Sequence, residues 1–193
     1  MTITREYVID VASDVITRIA GPNAQPRADQ IEAVTALLVD KRRTLVVQHT
    51  GWGKSAVYWI ASNVVRRKGG GVILVVSPLL ALMRNQVESA TKAGLRAETL
   101  NSSNTDDWPD IEHKIVNDGV DIVFVSPERL ANPRFAREVM SVLHNRLGLL
   151  VIDEAHCISS WGHDFRPDYQ RIAALLMQNP QTPVLCTTAT ASK

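Results

Sequence analysis

Leu147-Gly148-Leu149-Leu150-Val151-Ile152-Asp153-Glu154-Ala155-His156 decides the fold class. Five apolar residues and one Gly read as a buried strand, and a continuously apolar strand belongs to a sheet covered on both faces. Two adjacent carboxylates, Asp153 and Glu154, stand where that strand ends. In an open α/β sheet the carboxyl ends of the strands form the ligand edge. One carboxylate can hold a magnesium ion there, and its neighbour can activate a water.

Working outward, strand and helix patterns alternate. Apolar runs predict strands at 44–47, 72–76, near 96–100, at 121–125 and at 183–188. Helical periodicity and its stop signals predict helices at 4–20, 26–38, 54–67, 79–93, 111–117, 133–145 and 169–177. Residues 101–105 read as a polar loop, and Ser77-Pro78 and Ser126-Pro127 end strands. The expected fold is α/β, a mostly parallel β-sheet with helices on both faces. Residues 1–25 form an N-terminal helix without motifs, and residues 26–193 form the main domain. The chain stops almost directly after a strand, so a fragment of a longer protein is expected.

Composition narrows the class. The 193 residues are 45% hydrophobic, an ordinary globular value. With 21 basic and 20 acidic residues the net charge is +1, which neither demands nor excludes a nucleic-acid partner. Lys41-Arg42-Arg43 and Arg66-Arg67-Lys68 could touch phosphates, although each follows a predicted helix, where cations suit the C-terminal dipole. No apolar run approaches the roughly 20 residues of a membrane helix, and the N-terminus lacks a signal-peptide layout. Cys157 and Cys186 fit no zinc spacing. A reduced, cytoplasmic setting follows, nucleoid-associated if the source is bacterial.

A second signal serves the carboxylate pair. Gly51-Trp52-Gly53-Lys54-Ser55 falls between a predicted strand and helix, the context that makes a phosphate loop credible. Glycines let backbone amides turn toward a phosphate, and the helix start adds unpaired amides and a positive dipole end. Lys54 can reach the β- and γ-phosphates, and the Ser55 hydroxyl can ligate magnesium. The full G-x-x-x-x-G-K-[ST] pattern wants Gly at position 48, where this chain has Gln48.

The ordered set of motifs resembles the first motor domain of superfamily 2 helicases of the RecQ family. Gln48 to Ser55 resembles motif I and Val75 to Val87 resembles motif Ia. Val125-Ser126-Pro127-Glu128-Arg129-Leu130 resembles the next family segment, Asp153 to His156 motif II, and Thr188-Ala189-Thr190-Ala191 motif III. Cys157 to Pro167, with Trp161, His163, Phe165 and Arg166, resembles the aromatic-rich loop that sets RecQ enzymes apart. Two positions depart: Trp52 replaces a small residue, and Ser160 stands where Gln is common.

The resemblance implies a RecA-like P-loop domain, the motor of an ATP-dependent DNA helicase using ATP and Mg2+. It assigns Asp153 and Ser55 to magnesium and Glu154 to the attacking water. Arg27, Gln30, Thr50, Gly51, Gly53, Lys54 and Ser55 would contact the nucleotide, with Gln30 reading the adenine edge. His156 would link the ATP site to the DNA side. Trp161, His163, Phe165 and Arg166 would sense single-stranded DNA, and Thr188 and Thr190 would couple hydrolysis to movement. Ser77, Arg84 and Gln86 would touch the DNA backbone. Implied partners are single-stranded and forked DNA and a second RecA-like domain of the same protein, with no membrane. An RNA helicase of the same superfamily and a non-catalytic recruitment module remain alternatives. RNA-specific stimulation would favour the first, and activity indifferent to Lys54 and Glu154 the second.

Overall fold

A computed structural model of the chain describes residues 2–78, 80–101, 104–144, 146–157, 174, 176–177 and 180–189. Six strands form one sheet: β1 (Thr44–Val47), β2 (Val72–Val76), β3 (Ala97–Leu100), β4 (Ile122–Val125), β5 (Leu147–Ile152) and β6 (Val184–Thr188). Their order is β1-β6-β5-β2-β4-β3, and every neighbouring pair runs parallel. The seven described α-helices are α1 (Arg5–Ala20), α2 (Ala28–Leu38), α3 (Lys54–Arg67), α4 (Leu80–Lys92), α5 (Trp108–Val116), α6 (Pro127–Ala131) and α7 (Pro133–His144).

Alternation along each strand divides the core. Ile73 and Val75 of β2 face one apolar cluster with α1, α2, α3 and α4. Val72, Leu74 and Val76 face the other, with α5, α6 and α7. Both faces of the central strands β2 and β4 are thus covered, as continuously apolar strands require, while Leu45 and Val47 of the edge strand β1 are exposed. Helix starts follow local chemistry. Thr4 caps α1 by accepting from the Tyr7 amide at 3.3 Å, and the Asn132 side chain accepts from the Arg134 and Phe135 amides at 2.9 and 3.2 Å to start α7.

One short helix was not expected, and one predicted helix needs correction. Ser126-Pro127 ends β4 but also opens α6, because Pro suits the first helical turn; Leu130 on this single turn is fully buried. The predicted helix at 111–117 starts earlier, at Trp108, after a 3-10 turn at Thr105–Asp107. Trp108 is buried edge-on against Phe135, with ring centroids 5.9 Å apart. Its burial, set by α7, draws the helix start back beyond where local periodicity ends. Of the predicted helix at 169–177, the described residues 174, 176 and 177 are helical.

The register of β5 against β2 shifts beside Val72. There the backbones of Gly71 and Gly148 approach so closely that a Cβ on Gly148 would lie 2.4 Å from the Gly71 carbonyl oxygen. The strand's glycine is therefore a close-approach residue. At this amino-terminal end of the sheet the second basic cluster is spent on packing. Arg66 Nε donates to Asp121 at 2.8 Å, Arg67 pairs with Asp14, and Lys68 Nζ sits 3.8 Å from the Tyr7 ring centroid.

Candidate active site

The carboxyl ends of β1 and β5 open onto a cavity of about 480 Å³. Arg27, Gln30, Thr50, Gly51, Gly53, Lys54, Ser55, Asp153 and Glu154 all line it. Residues 126 positions apart in sequence meet there because parallel strands bring their carboxyl ends to one edge.

The loop after β1 is shaped for a phosphate. Gly53 sits at φ +97°, a conformation that favours glycine, and a Cβ there would press on Gln30 Nε2 at 2.9 Å. Lys54 is the first residue of α3. Its buried ammonium donates to the carbonyls of Gln48 and His49 at 2.8 and 3.2 Å, across the inside of the loop. Gln48, at the position where a glycine was the pattern, therefore acts through its carbonyl. Trp52 points inward and is 6% exposed, within the cluster under α1 and α3. Its bulk serves as an anchor beneath the loop and leaves the crest to the glycines.

Gln30 is engaged on both sides. Its Oε1 accepts from the Arg27 amide at 2.9 Å, and its Nε2 donates to the Gly53 carbonyl at 3.2 Å. One side chain thus caps α2 and ties it to the phosphate loop, with a second lone pair and a second N–H remaining for a ligand.

Asp153 begins the turn after β5, and its amide donates to the Val76 carbonyl at 2.9 Å. It is 8% exposed. Thr187 Oγ1 donates to Oδ1 at 2.5 Å and Gln86 Nε2 to Oδ2 at 3.4 Å. Glu154 adopts φ +50°, a left-handed conformation that costs a non-glycine residue about 1–2 kcal/mol. The turn is held by the Ala155 amide on the Thr187 carbonyl at 2.8 Å and the Cys157 amide on the Glu154 carbonyl at 2.9 Å. Strain of this kind gathers at functional sites. It places the Glu154 carboxylate in the cavity.

His156 lies beside the cavity rather than in its lining. Its Nδ1 is 3.0 Å from Thr188 Oγ1 and 3.2 Å from Glu154 Oε2. The histidine therefore connects the turn after β5 to the end of β6. Thr190, Trp161, His163, Phe165 and Arg166 lie outside the described residues, as does the side chain of Arg84.

Two buried polar atoms without a hydrogen bond belong to residues lining the cavity, Gln86 Oε1 and the Trp59 indole nitrogen. Burial, then the Asp153 charge, pushes the Tyr58 phenol well above its ordinary range, so it stays a neutral donor. Unmet polar atoms around a carboxylate and a hydroxyl fit a small hydrated cation. Among the described residues no group of three or more His, Cys, Asp or Glu could hold a metal alone. Asp153 and the Ser55 hydroxyl in one cavity are donors of the kind magnesium takes, one or two carboxylates plus substrate phosphates. Burial also raises both thiols, Cys157 further through the nearby Glu154 and Asp153.

Some lining residues carry no motif. Ile16, Ile19 and Ala20 of α1, with Ala24 and Trp59, form an apolar wall. The N-terminal helix, silent in sequence, shapes one side of the site because it packs on α3 through Val8, Val11 and Val15. Thr187, a buried β-strand residue, had no signal apart from its neighbour Thr188. Gln86, expected at DNA, is among the residues lining the cavity.

Residues 27–193 match the family model for DEAD/DEAH box helicases. The chain is 36% identical over 181 residues to the ATP-dependent DNA helicase RecQ of Pasteurella multocida, covering 93% of this chain and 27% of that protein. It is 38% identical over 172 residues to the ATP-dependent DNA helicase Q-like 2 of Arabidopsis thaliana, covering 86% of this chain and 24% of that protein. It thus spans about a quarter of these curated relatives, and 12% of the ATP-dependent helicase SGS1 of Saccharomyces cerevisiae. The fold matches the crystal structure of the UvsW helicase from bacteriophage T4, with a TM-score of 0.71 at 16% identity, over 98% of this chain and 61% of that one. No helix among the described residues is long and apolar enough to cross a membrane. With its phosphate loop, its Asp-Glu-Ala-His turn and a family match over nearly its whole length, the chain belongs to the DEAD/DEAH box helicase family.

Proposed function

We propose that this chain is the ATP-binding motor domain of a RecQ-type DNA helicase. The observation that carries the reading is the single cavity joining Arg27 and Gln30, the phosphate loop and both carboxylates. Adenine meets the Gln30 amide and the apolar wall of α1. The phosphates lie over Gly51 and Gly53, within reach of Lys54 once its ammonium leaves the Gln48 and His49 carbonyls. Ser55 and Asp153 would hold magnesium, which would supply positive charge to the phosphates.

Glu154 orients a water and accepts its proton as the water oxygen attacks the γ-phosphorus in line. The bond from that phosphorus to the bridging oxygen breaks, leaving ADP and inorganic phosphate. His156 carries the change from Glu154 toward Thr188 and the strand leading to Thr190. In the whole protein this drives movement along single-stranded DNA, 3′ to 5′, and opening of forked duplexes. Trp161, His163, Phe165 and Arg166 sense the strand. The reading also places the protein where DNA is held, in the cytoplasm or at a bacterial nucleoid.

A second RecA-like domain completes the site with an arginine. Such a residue contributes about 10³–10⁵ in rate in related phosphoryl-transfer enzymes. These 193 residues alone are therefore expected to bind ATP weakly, hydrolyse it slowly and unwind nothing. The test is ATP hydrolysis by the full-length protein with and without single-stranded DNA. Lys54→Ala and Glu154→Ala should each abolish stimulated turnover; unchanged activity in both would defeat the motor reading.

A further inference from the structure

We infer that Gln86 is a positioning residue of the metal-binding carboxylate, holding Asp153 in direction from α4 and offering its own carbonyl to a metal-bound water. The inference rests on the nucleotide-site reading above and deepens it. Gln86 lines the cavity beside Asp153 and Glu154. Its Nε2 donates to Asp153 Oδ2 at 3.4 Å, while Thr187 Oγ1 donates to Oδ1 at 2.5 Å. One donor from α4 and one from β6 each take a single oxygen. Each carboxylate oxygen keeps a second lone pair for a cation.

The other end of the same amide supplies the stronger clue. Gln86 Oε1 is buried and has no hydrogen-bond partner. Turning the amide over would set that carbonyl oxygen against the carboxylate, so the orientation is fixed by charge. Magnesium keeps several waters in an octahedral shell. A buried acceptor in the amide that already touches Asp153 is suited to an O–H of such a water. The 3.4 Å contact is long for a hydrogen bond, as contacts that tighten only in a loaded site often are.

Helix geometry separates this role from DNA contact. Positions two apart on an α-helix lie roughly 200° apart around its axis. Positions 84 and 86 thus occupy nearly opposite sides of α4. A helix that meets DNA on one side can hold the metal carboxylate on the other. Partners that orient ligating carboxylates tune metal affinity about 10–100-fold.

The test titrates magnesium against binding of mant-ATP, a fluorescent ATP analogue, in the full-length protein. Gln86→Leu should raise the magnesium concentration for half-maximal effect about 10-fold, with metal-free mant-ATP affinity and oligo-dT affinity unchanged. Gln86→Glu, of the same shape, should lower that concentration by adding a second carboxylate. A magnesium half-point unmoved in both variants would overturn the inference. So would loss of oligo-dT affinity in Gln86→Leu without a magnesium shift. Lys54→Ala runs in parallel: if it leaves mant-ATP binding intact, the nucleotide-site reading fails instead.

Discussion

Asp121 and Asp153 are both 8% exposed, at opposite ends of the same sheet, and are treated in opposite ways. Asp121, just before β4, receives Arg96 through its amide at 2.8 Å and its guanidinium at 3.0 and 2.7 Å, and Arg66 at 2.8 Å. Burial alone would raise its carboxyl, but the two arginines outweigh it and hold the pKa down at about 2. Among the described residues, the Asp153 carboxylate accepts from a hydroxyl and an amide, while Lys54 nearby is turned to backbone carbonyls. At one end a carboxylate's charge is consumed by structure. At the other it is steered by neutral donors and left for a ligand. Charge satisfied within the fold holds the chain together, and charge left over does chemistry.

The largest effect should come at the unsatisfied end. Glu154→Gln should lower ATP turnover of the full-length protein by about 10²–10⁴-fold, the worth of a positioned general base, while mant-ATP still binds. Loss of binding would instead make Glu154 a structural residue like Asp121. At the other end, Asp121→Ala removes the buried carboxylate shared by Arg96 and Arg66 and leaves Arg66, its side chain 11% exposed, with only Asp118 and the Gly70 carbonyl among its described partners. Breaking such a pair costs about 3–5 kcal/mol, to be read by urea unfolding. A small loss there would break the contrast.

Acid sharpens it further. The Asp121 carboxyl is lower in the folded state, so its stabilising contribution is present above the ordinary carboxylate pKa. It should fade as pH falls from about 4 through about 2. Melting temperatures across that range should fall more steeply in the parent protein than in Asp121→Asn. Thr187→Val removes one neutral donor from Asp153 and keeps the side-chain shape. It should cost about 1–3 kcal/mol of stability and also weaken magnesium-dependent mant-ATP binding. The smallest effect belongs to the exposed Arg5–Glu32 pair, with side chains 49% and 69% exposed. Arg5→Ala should change stability by less than about 1 kcal/mol.

Much of this was legible in the chain because it is written locally. Apolar runs marked β2 and β5 almost to the residue, since a buried strand needs continuous apolar sequence; β1 was marked too, although Leu45 and Val47 are exposed. The phosphate loop and the Asp-Glu-Ala-His turn were legible for a related reason. Glycines at fixed backbone turns and side chains at a strand end sit within a few residues of each other. The α6 turn and the early start of α5 were not, because one buried residue in each, Leu130 and Trp108, is decided by distant packing.

The sequence by itself determined the parallel α/β class, the phosphate loop and the pair of carboxylates. Only the tertiary structure decided what surrounds them. It turned Trp52 into the core, made α1 a wall of the cavity, tied Gln30 to Gly53, and set Thr187 and Gln86 on the two oxygens of Asp153. Those partners come from other strands and helices, 23 to 67 positions away. A contact across such separations depends on which elements the sheet brings side by side, and no local pattern carries that information.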